Sequence, residues 1–147
     1  MGGETAGHCQ PRVRERAAGA VDIFKGLTLV AEPGKPTFGE ACDDVVFDFV
    51  GAIVGAYDAG QSRQLINEFL MLISKKNSKS TIAAGIMVTA LVLHWRHSNE
   101  LLVLAPTKEV AHNVFTPAMG IVRADPELFF LLTFIEHPRP LKHMFNG

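Results

Sequence analysis

The sequence predicts an α/β domain: a parallel sheet flanked by helices. Three observations predict it. Residues 68–73 (Glu-Phe-Leu-Met-Leu-Ile) and 101–105 (Leu-Leu-Val-Leu-Ala) are short apolar runs without alternation, the pattern of strands buried on both faces. Each run is followed by a segment with helical spacing of apolar residues, one starting at Lys79 and the other at Lys108. The order strand, loop, helix, strand, helix is that of a parallel α/β arrangement.

The 147 residues are 48% hydrophobic and 20% charged, which suits one core-forming domain and excludes a disordered chain. The net charge of −1 gives no general case for nucleic-acid binding, which shows as a basic excess; DNA contact would need a local patch. Cys9 and Cys42 stand far apart without CxxC spacing and read as free thiols in a reducing compartment, Cys42 as a small core residue, with a disulfide between them as the alternative. The start, Met-Gly-Gly-Glu-Thr-Ala, lacks the apolar stretch of a secretory signal and, with Ala6, misses the myristoylation pattern. The longest uncharged run, residues 80–95, is shorter than the roughly 20 apolar residues of a membrane span. A buried helix is expected there, and no membrane partner.

Taken in order, residues 1–36 read as a flexible N-terminal tail and lead-in segment. Arg12, Arg14 and Arg16 make a small basic cluster in the tail, and Pro33-Gly34 and Pro36 close a lead-in lying on the surface. The domain proper is expected over residues 37–147. Thr37 and Glu40 have capping-box spacing, and Asp43 and Asp44 follow near the positive end of the helix dipole. Apolar residues at Cys42, Val45, Val46, Phe49, Val50, Ile53, Val54 and Tyr57 predict one helix, ended by Asp58-Ala59-Gly60. Residues 68–73 are the first strand and residues 74–78 a polar loop. The segment from Lys79 to about Trp95 is apolar nearly all round, as a helix buried on most sides is. The second strand ends at Pro106, and Thr107 can cap the helix from Lys108, in which Pro117 predicts a kink or break. Asp125-Pro126-Glu127 supplies the cap, first-position proline and acidic first turn of a further short helix.

A strand, a polar loop and a helix opening on Lys-Ser make the context of a phosphate-binding loop. Free backbone N–H groups and the helix dipole favour an anion, a lysine reaches the terminal phosphates and a hydroxyl ligates Mg²⁺. The loop is Ser74, Lys75, Lys76, Asn77, Ser78, Lys79, Ser80 and Thr81. Lys79 takes the role of the phosphate lysine and Ser80 that of the Mg²⁺ hydroxyl. The pattern Gly-x-x-x-x-Gly-Lys-Ser/Thr is missed at both glycines, where Ile73 and Ser78 stand. The second departure matters more, because that glycine permits a positive φ, which costs a residue with a Cβ roughly 1–2 kcal/mol. The bland alternative is a solvated, lysine-bearing turn.

Residues 74–87 (Ser-Lys-Lys-Asn-Ser-Lys-Ser-Thr-Ile-Ala-Ala-Gly-Ile-Met) resemble the deviant Walker A loop and following helix of tailed-phage terminase large subunits. Residues 101–111, 113–128 and the pair Phe38-Gly39-Glu40 and Gly55-Ala56-Tyr57-Asp58 resemble the same family, in the same order, over about residues 37–143. The resemblance implies a P-loop ATPase fold, with ATP and Mg²⁺ as cofactors, in a motor that drives double-stranded DNA into a procapsid. It implies as partners the portal protein, the terminase small subunit and further copies in a ring, in the cytoplasm of a bacterial host carrying a phage or prophage. It also implies a nuclease domain and an acidic Walker B strand. Neither is found in the sequence: Asp43-Asp44 lie upstream at a helix start, and Asn146-Gly147 place the last residues in a turn. The expected fold is therefore P-loop NTPase-like but incomplete, truncated before the Walker B strand, and an isolated ATP-binding portion is expected to be inactive.

Two other classes remain open at this point. An inert gene remnant would keep the core and bind no nucleotide. A small DNA- or protein-binding module would show salt-dependent affinity without nucleotide. His94 and His97 share a helix face but lack a third ligand, so a dipole role at a helix end is expected rather than a metal site. His137 and His143 have no metal-site spacing. Thr107 and Lys108, at the carboxyl end of the second strand, could line the nucleotide site.

Overall fold

The computed structural model describes residues 10–58, 63–74, 78–93 and 101–133. Helix α1 (Gln10–Gly26) is followed by the single turn α2 (Phe38–Ala41), α3 (Asp44–Gly55), strands β1 (Tyr57–Asp58) and β2 (Arg63–Gln64), then α4 (Lys79–Leu93), α5 (Lys108–Ala124) and α6 (Pro126–Thr133). The core lies between α1, α3 and α4 on one side and between α4, α5 and α6 on the other, with Phe24, Phe38, Val50, Val88 and Ile121 at its centre.

The segment expected as a tail and surface lead-in is structured from Gln10 onward. Ala17, Ala20, Val21 and Phe24 stand on one face of α1 and turn it onto α3 and α4. Phe24 is fully buried, its ring 4.6 Å from that of Phe38 and 6.3 Å from that of Phe47, edge-on to the latter. Leu27 and Leu29 follow it into the core. Between them and α2 the chain turns back at Pro33-Gly34, where Gly34 has φ +82° and Lys35 donates its N–H to the Glu32 carbonyl, as a type II turn requires. Leu29 N–H then bonds the Pro36 carbonyl and Phe38 N–H the Leu27 carbonyl, which fixes the return strand against the outgoing one.

The single helix expected from Thr37 is two. The Glu40 carboxylate accepts the Thr37 N–H at 2.8 Å, as the capping spacing predicts. The helix stops after one turn, however, because Cys42 is extended (φ −104°, ψ 149°) and Asp43 starts α3 afresh. Burial, and then the neighbouring Asp43 carboxylate, pushes the Cys42 thiol up from its ordinary value, which fits a protonated side chain packed against the core. The end of α3 is tied down by a small antiparallel ribbon not foreseen in the sequence. Tyr57 pairs with Gln64 and Asp58 with Arg63, and Gln64 Nε2 donates to the Ile53 carbonyl.

Beyond the ribbon, α4, α5 and α6 start where the sequence places them. Thr107 Oγ1 accepts the Val110 N–H at 3.3 Å, and Asp125 Oδ1 accepts the N–H groups of Glu127 and Leu128 at 2.9 and 3.4 Å. Pro117 does not break α5, which runs on to Ala124. Val114 and Ala118, flanking the proline, and Ile121 and Val122 beyond it pack into the core, so tertiary contacts hold the helix across the lost backbone bond.

The expected parallel sheet is the main difference. Among the described residues the sheet consists of β1 and β2 alone. Residues 66–74 and 101–105 are not laddered to each other or to another described strand. In the first run Met71 and Ile73 pack against the core, while the alternate residues Leu70 and Leu72 are 79% and 85% exposed. In the second, Leu102 and Leu104 are 79% and 84% exposed. The first run therefore has one face toward the helices and one open, while in the second Leu101 is exposed as well. A strand buried on both faces needs a second layer and neighbouring backbones, and neither accompanies these runs among the described residues. Such a surface is expected to bind a hydrophobic dye in the folded state. The variant Leu70→Lys/Leu102→Lys should bind markedly less dye at an unchanged melting temperature; equal dye fluorescence would mean that the face is covered.

Candidate functional site

The candidate loop joins the first apolar run to α4. Of its residues Ser74, Ser78, Lys79, Ser80 and Thr81 are described; Lys75, Lys76 and Asn77 lie outside the described residues. The first helical bond of α4 runs from the Ile82 N–H to the Ser78 carbonyl at 2.9 Å. The N–H groups of Ser78, Lys79, Ser80 and Thr81 therefore have no acceptor within the helix. Four helix starts carry acids, Glu40, Asp44, Glu109 and Glu127 in the first turns of α2, α3, α5 and α6, and α1, like α4, carries none. The first turn of α4 presents Lys79 with two hydroxyls instead. An anion is the complement of that helix end.

Ser78 has φ +50°, the left-handed region. A left-handed residue followed directly by a right-handed helix makes successive N–H groups converge on one point, which is the geometry of an anion-binding nest. The position that the Walker A pattern gives to glycine thus has the backbone conformation for which glycine would be chosen, with a serine in it. Lys79 closes the other side of the loop. Its ammonium donates to the Ile73 carbonyl at 2.8 Å and to the Ser74 carbonyl at 3.2 Å, so the exposed side chain folds back toward the end of the first apolar run. These two carbonyls were not legible as site groups, because a backbone acceptor leaves no mark in the sequence. Ser80 and Thr81 are half-buried at the helix start.

The left-handed serine carries a testable cost. Ser78→Gly is expected to raise the melting temperature by about 2–4 °C, from the roughly 1 kcal/mol released at that φ, and to leave nucleotide affinity unchanged or improved. Thermal melting and calorimetry on the same samples check both. A marked loss of affinity would show that the Ser78 hydroxyl itself is a ligand.

Residues 47–136 of the chain match the family described as terminase large subunit, ATPase domain. The chain belongs to that family. The matched stretch covers more than half of the 147 residues and contains the loop, α4 and α5. No curated protein and no solved structure matches the chain. The terminase large subunit ATPase domain is the motor portion of a DNA-packaging machine, and the loop just described lies within the terminase match.

The remaining sequence candidates have simpler places. Thr107 is the cap of α5, and Lys108 lines a shallow, open groove with Glu109, His112, Asn113, Thr116 and Pro117 on the outer side of that helix. His94, His97, His137 and His143 lie outside the described residues, and among the described residues no group of three His, Cys, Asp or Glu side chains is placed to hold a metal. No described helix is long and apolar enough to cross a membrane.

Proposed function

We propose that this terminase chain binds Mg-ATP through residues 74–81 as the ATP-binding portion of a phage DNA-packaging motor. The observation that carries the reading is the left-handed Ser78 set directly before the acid-free start of α4. In this reading the N–H groups from Asn77 to Ser80 cradle phosphate oxygens, Lys79 reaches the β- and γ-phosphates and the Ser80 hydroxyl ligates Mg²⁺. The runs at 68–73 and 101–105 are strands of a parallel sheet that further strands would complete, which accounts for the open leucine faces. Double-stranded DNA, the portal protein, the small subunit and a ring of further copies are the partners that terminase membership suggests, in a bacterial cell carrying the phage. Amide hydrogen exchange tests the reading: Mg-ATP should slow exchange across residues 74–81, and a loop indifferent to nucleotide would favour an inert remnant.

Binding is not turnover. Phosphoryl transfer to water needs a positioned nucleophile and, in this class of motor, an acidic partner for Mg²⁺ at the end of a neighbouring strand. After Thr107 the acids are Glu109, Asp125, Glu127 and Glu136. Glu109 is exposed in the first turn of α5, Asp125 is engaged in capping α6, Glu127 is exposed in the first turn of α6, and Glu136 stands before His137-Pro138. Among the described residues none of these acids ends an apolar strand. The purified chain is expected to release no phosphate above the level of Lys79→Ala. Turnover lost in Lys79→Ala and lost again in Glu109→Gln would show a complete catalytic site.

A further inference from the structure

We draw no further inference here: the strongest candidate, the open apolar face formed by Leu70, Leu72, Leu102 and Leu104 on the two extended runs, carries nothing because nothing in the structure shows what covers it.

Discussion

Lys79→Ala is expected to weaken Mg-ATP binding by about 10- to 100-fold, the loss that follows when a charge-assisted hydrogen bond of about 1.5–3 kcal/mol is removed. The side chain begins one residue after the left-handed Ser78, and its ammonium already lies near the Ile73 and Ser74 carbonyls. Because the lysine also ties the loop ends, the substitution has a second consequence that must be separated from the first. Melting of wild type and variant without nucleotide reports the structural part, and titration calorimetry reports the binding part. Equal affinity in the two proteins would remove the phosphate role of Lys79 altogether. A small fall in melting temperature beside a large loss of affinity is the expected pair.

Phe24→Ala should cost about 3–5 kcal/mol, the range for emptying a fully buried phenylalanine site. Against the roughly 5–15 kcal/mol of a whole domain, that is a fall of about 10 °C or more in Tm. The residue precedes the terminase match, yet its ring meets those of Phe38 and Phe47 and lies over α4 at Gly85. A Cβ at Gly85 would stand 2.8 Å from Phe24 Cε2 and 2.9 Å from Phe38 Cζ, closer than carbon atoms pack. Gly85→Ala is thus destabilising as well, by about 1–3 kcal/mol from overpacking, less the roughly 1 kcal/mol that alanine gains in a helix. The two changes share one contact, so the double variant should be less destabilised than the sum of the singles. Arg14→Ala, exposed on the same helix, is the control and should stay within about 0.5 kcal/mol of wild type. If Phe24→Ala melts like Arg14→Ala, α1 is the loose tail that its composition suggests.

Much of the framework is legible because its signals are local. Thr107 and Asp125 cap the helices they were expected to cap, and α4 and α5 begin at the predicted lysines. A cap is decided by a side chain and a backbone N–H within three residues, so neighbouring letters suffice. The polar loop before α4 is legible for the same reason, because the apolar run ends at Ile73 and the helix opens on Lys79. The α1 signal was present but faint. Ala17, Ala20, Val21 and Phe24 have helical spacing, but two of the four are alanines, and arginines, Glu15 and Gly19 dilute the stripe. Its face is worth burying only because α3 and α4 present Phe47, Val50 and Gly85 to it. The break at Cys42 was hidden by a continuous apolar spacing on either side of it.

By itself, then, the sequence determined where α4, α5 and α6 start and which family's motifs the chain carries. Tertiary structure decided the rest. It drew Ala20, Phe24, Leu27 and Leu29 into the core, set the backbone of Ser78 at φ +50° and folded Lys79 onto the Ile73 and Ser74 carbonyls. It also left the two apolar runs outside any described ladder, with Leu70, Leu72, Leu102 and Leu104 exposed. The physical reason is range. A cap or a loop motif is settled by residues within a turn of each other, whereas a buried face or a sheet exists only when a partner surface, distant in the sequence, is brought against it.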